Sequence, residues 1–98
     1  MSKFGDLISG NVPVLLHFAS DHNPEDQNMQ TIMEEVALEM GDKLSIIRID
    51  VLKNPDLVEA LRIKTTPTLM VYKNGAMVWR QSGITDQKSL IIIAKAFN

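Results

Sequence analysis

Residues 63–75 read IKTTPTLMVYKNG, and this stretch predicts a buried strand that runs into a hairpin. Residues 68–72 form a short apolar run that favours a strand, and the Asn-Gly pair at the end supplies the left-handed positions of a tight turn. Pro67 opens the strand, where its missing N–H costs least. Because Thr66 precedes a proline, it should be extended, with its own N–H and C=O free to face outward.

Three further runs predict strands. Residues 12–18 and 44–50 are apolar, and they should run parallel because a helical pattern lies between them. Residues 77–82 return from the Asn-Gly turn and should pair with the strand before it. The chain is therefore expected to form a single α/β domain over residues 1–98. Helices should flank a four-stranded mixed sheet in the order 44–50, 12–18, 68–72, 77–82.

Helical spacing of apolar residues predicts four helices around this sheet. The longest should begin at Pro24 and end near Met40, with a stripe formed by Met29, Ile32, Met33, Val36, Ala37 and Met40. Shorter helices are expected at three places: residues 3–9, a segment from an Asn54 cap to about Arg62, and a last helix capped by Thr85 or Asp86.

Composition and charge exclude several classes of function. The formal net charge of −2, with the basic residues scattered along the chain, argues against a nucleic-acid partner. No apolar run approaches a membrane span, and the first residues contain no hydrophobic signal region, so a cytoplasmic location without membrane contact is expected. The sequence contains no cysteine, which excludes disulfides, thiolate nucleophiles and cysteine-bound metals.

The segment from Thr66 to the Asn-Gly turn resembles the cis-proline segment and hairpin of the thioredoxin family. The resemblance extends over about residues 12–97, in order and with the family's spacing. It implies a thioredoxin-like fold with a cis bond before Pro67, and it places Gly83 beside the family's substrate groove. The family's Cys-x-x-Cys motif is absent, because residues 23–26 read Asn-Pro-Glu-Asp.

Asn23 stands at the position that resembles the first cysteine of the motif. In thioredoxins that cysteine lies at a helix N-terminus, where peptide dipoles stabilise the thiolate. Asn is a strong helix cap, and Pro24, Glu25 and Asp26 all suit a first helical turn. The simplest interpretation is that this segment now stabilises the helix. Without cysteines the chain cannot exchange disulfides, so we expect no enzyme of that kind and no cofactor.

His17 and Arg48 are expected to form a buried polar pair beneath this segment. His17 resembles the position where thioredoxins bury an acid under the cysteines, and Arg48 resembles the basic partner nearby. Burial and Arg48 should both favour a neutral His17, with Asp26 as its nearest acid. Either His17 is a core histidine with satisfied hydrogen bonds, or it transfers protons together with Asp26.

The leading hypothesis is a redox-inactive protein that binds an extended segment of a partner protein at the cis-proline groove. Main-chain pairing at Thr66 does not depend on the side chain, so it should survive the loss of the motif. The groove should be more polar than usual, because His22 replaces a tryptophan of the family. The predicted binding residues are His22, Asn23, Asp26, Thr66, Pro67 and Gly83.

Two alternatives come from other residues. Asp21, His22, Glu25 and Asp26 have the side chains of a metal-dependent or acid–base enzyme, although capping explains most of them and we expect no bound metal. Ile91 and Ile92 lie off the predicted core stripe of the last helix, which consists of Leu90, Ile93, Ala94 and Phe97. They suggest a structural subunit with weak self-association, unless they pack against the first helix.

Overall fold

The computed structural model describes residues 3–98. Within them the chain forms four α-helices, one short 3₁₀ helix and four strands. In chain order these are α1 (Lys3–Ile8), β1 (Val14–Ala19), α2 (Pro24–Met40), the 3₁₀ helix (Gly41–Lys43), β2 (Ser45–Asp50), α3 (Pro55–Ala60), β3 (Thr68–Lys73), β4 (Ala76–Ser82) and α4 (Gln87–Ala96). None of the helices in this part of the chain is long and apolar enough to span a bilayer.

The four strands form one mixed sheet in the order β2-β1-β3-β4, as predicted. β1 is parallel to β2 and antiparallel to β3, and β4 pairs antiparallel with β3. In this register His17 lies between Arg48 on β2 and Leu69 on β3. Neighbouring in-register residues point to the same face of a sheet, so Arg48 and His17 share a face.

Apolar side chains cover both faces of the sheet. One core layer joins α2 and α4 to alternate strand residues such as Leu15 and Leu69. The other joins α1 and α3 to the intervening residues, among them Phe18 and Met70. Every residue of β1 is buried, which explains why five of its six residues are apolar rather than alternating with polar ones. The sixth, His17, is buried as well, and it faces the α2 layer.

Several boundaries differ from the predicted ones. β1 begins at Val14 rather than residue 12, because Pro13 has no N–H for the ladder and contributes only its carbonyl, to Ser45. α3 ends at Ala60 instead of near Arg62, whose φ of 55° is left-handed and cannot continue a helix.

Two side-chain predictions for the helices were wrong. Ala37 is exposed, because the buried stripe of α2 runs through Met29, Met33, Val36 and Met40. Asn54 precedes α3 but does not cap it, since its side-chain amide donates to the Asp50 carbonyl at 2.8 Å. At α4 the cap is Asp86, whose carboxylate accepts from the Ser89 N–H at 3.2 Å.

Candidate functional site

Asn23 caps α2, as predicted. Its Oδ1 accepts a hydrogen bond from the Glu25 N–H at 3.0 Å, and its backbone is extended. Pro24 occupies the first helical position, where a missing N–H costs nothing. The loop from the end of β1 thus delivers Asn23 to the N-terminus of α2, next to the segment around Pro67.

The other end of the Asn23 side chain contacts Thr66. Its Nδ2 donates to the Thr66 carbonyl at 2.7 Å and lies 3.2 Å from the Thr66 Oγ1. The Thr66–Pro67 bond is cis, as expected. The prediction that both main-chain groups of Thr66 are free was wrong for the carbonyl, which Asn23 occupies. The Thr66 N–H has no acceptor among residues 3–98.

Gly83 completes the arrangement. Its N–H donates to the Pro67 carbonyl at 2.8 Å, directly after β4 ends at Ser82. An added Cβ at Gly83 would meet no atom within 4 Å, so the space beside it is open. His22, the residue before Asn23 in the chain, is exposed. We define the cis-proline groove by these five residues: His22, Asn23, Thr66, Pro67 and Gly83.

A cavity of about 490 Å³ opens beside Asn23 and Thr66. Its other walls are Ser20, Lys64 and Thr65 together with three apolar residues, Val51, Val58 and Ile63. These apolar residues were not predicted as part of the site, because they come from three separate segments that only the fold brings together. A hydrogen bond from the Ile63 N–H to the Val58 carbonyl, 3.0 Å long, holds two of them in place.

Asp26 does not belong to the cis-proline groove, contrary to prediction. It is buried, 3% exposed, and it lines a separate cavity with Asp21, Gln27, Gln30 and Arg48. Its Oδ2 accepts from the Ser20 N–H at 2.9 Å. The contacts of the two side chains differ: Asp26 lies against Ser20 and His17, whereas the Asn23 amide contacts Thr66.

His17 lies beneath Asp26, and the two form a buried pair. His17 is 1% exposed, and its Nε2 lies 3.6 Å from the Asp26 Oδ1, too far for a hydrogen bond. Neither ring nitrogen has a hydrogen-bond partner within residues 3–98, nor does the Asp26 Oδ1. Within residues 3–98 His17 therefore lacks the hydrogen-bond partners that its interpretation as a satisfied core histidine requires, and its burial beside Asp26 is as predicted.

Arg48 is not buried under the site. It belongs to β2, which is an edge strand, so its long side chain can leave the sheet. Its Nη2 lies 2.6 Å from the Asp21 Oδ1, and its side chain is 35% exposed. The pair is a surface ion pair, of the kind that contributes at most about 1 kcal/mol.

The pKa of His17 is lowered from its ordinary value of 6.5. Burial is the largest cause, because it disfavours the charged imidazolium. The nearby Asp26 raises the pKa in opposition, and Arg48 lowers it further. His17 is therefore neutral at pH 7, with both ring nitrogens buried.

The lowered pKa predicts acid sensitivity below pH 6.5. Above that value His17 is neutral in both folded and unfolded chains and contributes no pH dependence. Below it the unfolded chain binds a proton that the folded chain does not. The free energy of unfolding should therefore fall by up to about 1.4 kcal/mol for each unit by which the pH is lowered. Urea melts between pH 7.5 and 5.5 measure this slope.

A buried residue that does not titrate provides the control for that slope. His17→Leu should reduce it, whereas Thr68→Val should not, since Thr68 is equally buried but carries no titratable group. Equal slopes in native protein and His17→Leu would show that His17 titrates alike in the folded and unfolded chains.

The acidic loop does not assemble a metal site. In the described part of the chain, no three His, Cys, Asp or Glu side chains lie close enough to hold a metal ion. Asp21 pairs with Arg48, Asp26 accepts from Ser20, and the side chains of His22 and Glu25 are exposed. Asp21 and Asp26 line the same cavity, but the four residues considered as ligands do not converge on one point.

The two isoleucines of α4 differ in burial. Ile91 packs against the α2–α4 core layer, whereas Ile92 is 68% exposed. The predicted contact surface is thus reduced to Ile92 on this helix.

Known proteins resemble this chain over nearly its whole length. The family model for thioredoxin matches residues 1–96. Thioredoxin Y, chloroplastic, from Oryza sativa subsp. japonica is 31% identical across 92% of this chain and 54% of its own length. A thioredoxin-like protein of Synechocystis sp. is 29% identical across 92% of this chain and 87% of its own length. The chain spans only 20% of a bifunctional thioredoxin reductase/thioredoxin of Mycobacterium leprae, at 28% identity.

Solved structures agree in fold. A mutant thioredoxin from Halobacterium salinarum superposes with a TM-score of 0.88 at 25% identity, covering 99% of this chain and 84% of that one. The oxidised thioredoxin of Plasmodium falciparum gives a TM-score of 0.81 at 26% identity, covering 99% and 91%. The family match, the relatives and the sheet order agree, and the chain therefore belongs to the thioredoxin family although it contains no cysteine.

Proposed function

We propose that this protein is a redox-inactive, cytoplasmic member of the thioredoxin family that binds an extended segment of a partner protein at the cis-proline groove. The observation that carries the proposal is the Thr66 N–H, a main-chain donor with no acceptor in residues 3–98. An unpaired main-chain group beside an open groove is suited to pairing with another extended chain.

The cavity next to Thr66 indicates which segments fit. Three of its walls are aliphatic, from Val51, Val58 and Ile63, and its volume of about 490 Å³ can hold a large side chain. Burying an aliphatic side chain there would contribute about 1.5–3 kcal/mol. A suitable segment is therefore extended, with an aliphatic residue close to the one that pairs with Thr66.

Enzymatic chemistry is less well supported. The absence of cysteine removes the group that exchanges disulfides in the family. His17 and Asp26 could exchange protons with each other, but His17 is 1% exposed and lies behind α2, away from the groove. A binding function uses the groups that are accessible.

Peptide selection tests the proposal. Cysteine-free ten-residue peptides displayed as a random library would be selected on the native protein, and the enriched ones titrated by fluorescence anisotropy. We expect the enriched peptides to share an aliphatic residue. Gly83→Leu should weaken their binding about tenfold or more, equivalent to about 1.4 kcal/mol, because the new side chain enters the groove.

Gly75→Leu is the matched control. Gly75 and Gly83 have similar positive φ values, 82° and 93°, and both face open space, so leucine strains the backbone alike at the two positions. Only Gly83 adjoins Pro67. If no peptide is enriched, or if the two variants bind the enriched peptides equally well, binding at the groove is wrong.

Weak self-association through α4 is a second, smaller proposal. It is supported by Ile92, an isoleucine that is 68% exposed. Ile92→Lys should change the free energy of unfolding by less than about 0.5 kcal/mol, as surface substitutions usually do, and should lower the mass measured by light scattering at high concentration. A native protein that is already monomeric under those conditions would exclude this contact.

A further inference from the structure

We propose that the Asn23 side-chain amide is a built-in competitor for the cis-proline groove, which a bound segment must displace from the Thr66 carbonyl. The inference rests on the proposed function and adds a regulation of the same site. Asn23 holds the main-chain acceptor of Thr66 while the main-chain donor stays unpaired. The groove is thus half closed by the protein itself.

The contact has the chemistry of main-chain pairing. The Asn23 Nδ2 is an amide N–H donor like that of a peptide backbone, and it lies 2.7 Å from the Thr66 carbonyl oxygen. An extended segment that pairs with Thr66 through both main-chain groups needs that same oxygen for its own N–H. A carbonyl oxygen has two lone pairs, so the competition is for the space in front of it: the Asn23 amide stands where the N–H of a paired segment would lie.

The same side chain is also held at its other end. Oδ1 accepts from the Glu25 N–H at 3.0 Å, so a rotation that withdraws the amide from Thr66 also releases the cap of α2. When a segment displaces the Asn23 amide, the Thr66 carbonyl exchanges one hydrogen bond for another, and helix α2 loses its cap in addition. A segment binds only if the free energy gained from pairing with the Thr66 N–H and from burying a side chain exceeds that cost.

Cap-preserving substitutions separate the two roles of Asn23. Asp and Ser cap helices about as well as Asn, but neither has an amide donor. Asn23→Asp is nearly isosteric and keeps an oxygen for the Glu25 N–H, and Asn23→Ser does so without adding charge. Both should leave helix α2 intact and free the Thr66 carbonyl.

The experiment titrates cysteine-free ten-residue peptides, from pools selected separately on the native protein and on Asn23→Ser, against all variants. Peptides from both pools should bind Asn23→Ser and Asn23→Asp about fivefold to tenfold more tightly than native protein, the range that one released hydrogen bond provides. Glu25→Gln is the control for charge, since it alters the same turn but not the contact with Thr66, and it should bind like native protein.

The outcomes are distinguishable. Tighter binding by both Asn23 variants supports the competitor. Equal binding by native and variant proteins overturns the competitor and leaves groove binding in place, as does a gain in Asn23→Asp alone, which would reflect charge. No peptide binding by any of the proteins overturns both proposals.

Discussion

Replacing His17 with leucine should raise the free energy of unfolding at pH 7 by about 1–2 kcal/mol, although the change removes half of a buried polar pair. Both ring nitrogens of His17 are buried without a partner among residues 3–98. Each loses its hydrogen bonds to water on folding and gains none in return. Leucine is of similar size and has no such groups. The cavity of about 200 Å³ beside it offers apolar walls at Met33 and Ile46, and its other walls include the polar Gln30, Glu34 and Arg48.

The opposing effect is the loss of the contact with Asp26. At 3.6 Å between Nε2 and Oδ1, and with His17 neutral, that contact should be weaker than the desolvation it accompanies. Chemical denaturation at pH 7 decides between the two. A loss of stability of more than about 1 kcal/mol in His17→Leu would show that the pair stabilises the fold as a hydrogen bond does.

Thr68→Val is the matched control for this result. Thr68 is as buried as His17, but its hydroxyl donates to the Thr65 carbonyl at 2.7 Å. Valine has nearly the same shape and leaves that carbonyl without its donor, so it should cost about 1 kcal/mol. Opposite signs for the two substitutions would show that pairing, rather than polarity itself, determines stability in this core.

The double change Asn23→Cys with Asp26→Cys should give a protein that forms a disulfide and slowly reduces disulfide substrates. The two positions bound one helical turn, since the Asp26 N–H donates to the Asn23 carbonyl at 3.0 Å, and side chains three residues apart meet the geometry of a disulfide. The helix N-terminus, which stabilises a thiolate, remains. The native chain has no cysteine and should show no such activity.

The reaction should be slow for two reasons. Asp21 and Glu25 lie beside position 23, and negative charge raises the pKa of a thiol. The group beneath the second sulfur would be His17, which burial keeps neutral. Insulin reduction with dithiothreitol, compared with the single change Asn23→Cys, measures the effect. If the pair does not oxidise under mild oxidant, the loop differs from an active one in backbone and not only in residues.

Much of the fold could be predicted because its signals are local or periodic. The Asn-Gly turn, the apolar run of residues 68–72 and the long amphipathic helix each determine their structure within a few residues. The cap formed by Asn23 has the same character, since the atoms involved lie two residues apart. The sheet order then followed from the handedness of the helical connection and from the resemblance to a known family.

The site was harder to predict, because its contacts join distant residues. Asn23 and Thr66 are 43 positions apart, and a cap signal says nothing about the direction of the amide nitrogen. Arg48 was predicted to be buried, and it is exposed because β2 is an edge strand, a property of the whole sheet. The cavity walls Val51, Val58 and Ile63 similarly carry no local pattern that distinguishes them from ordinary core residues.

The double attachment of Asn23 links two motions that are separate when a helix cap stands alone. The first turn of a helix normally frays without consequence for distant parts of the chain. Here fraying that frees the Asn23 side chain also unlocks the main chain at Thr66, so opening of the helix end and opening of the groove form one cooperative event. If a segment binds the groove as proposed, the exchange of the Glu25 amide hydrogen with solvent should change on binding.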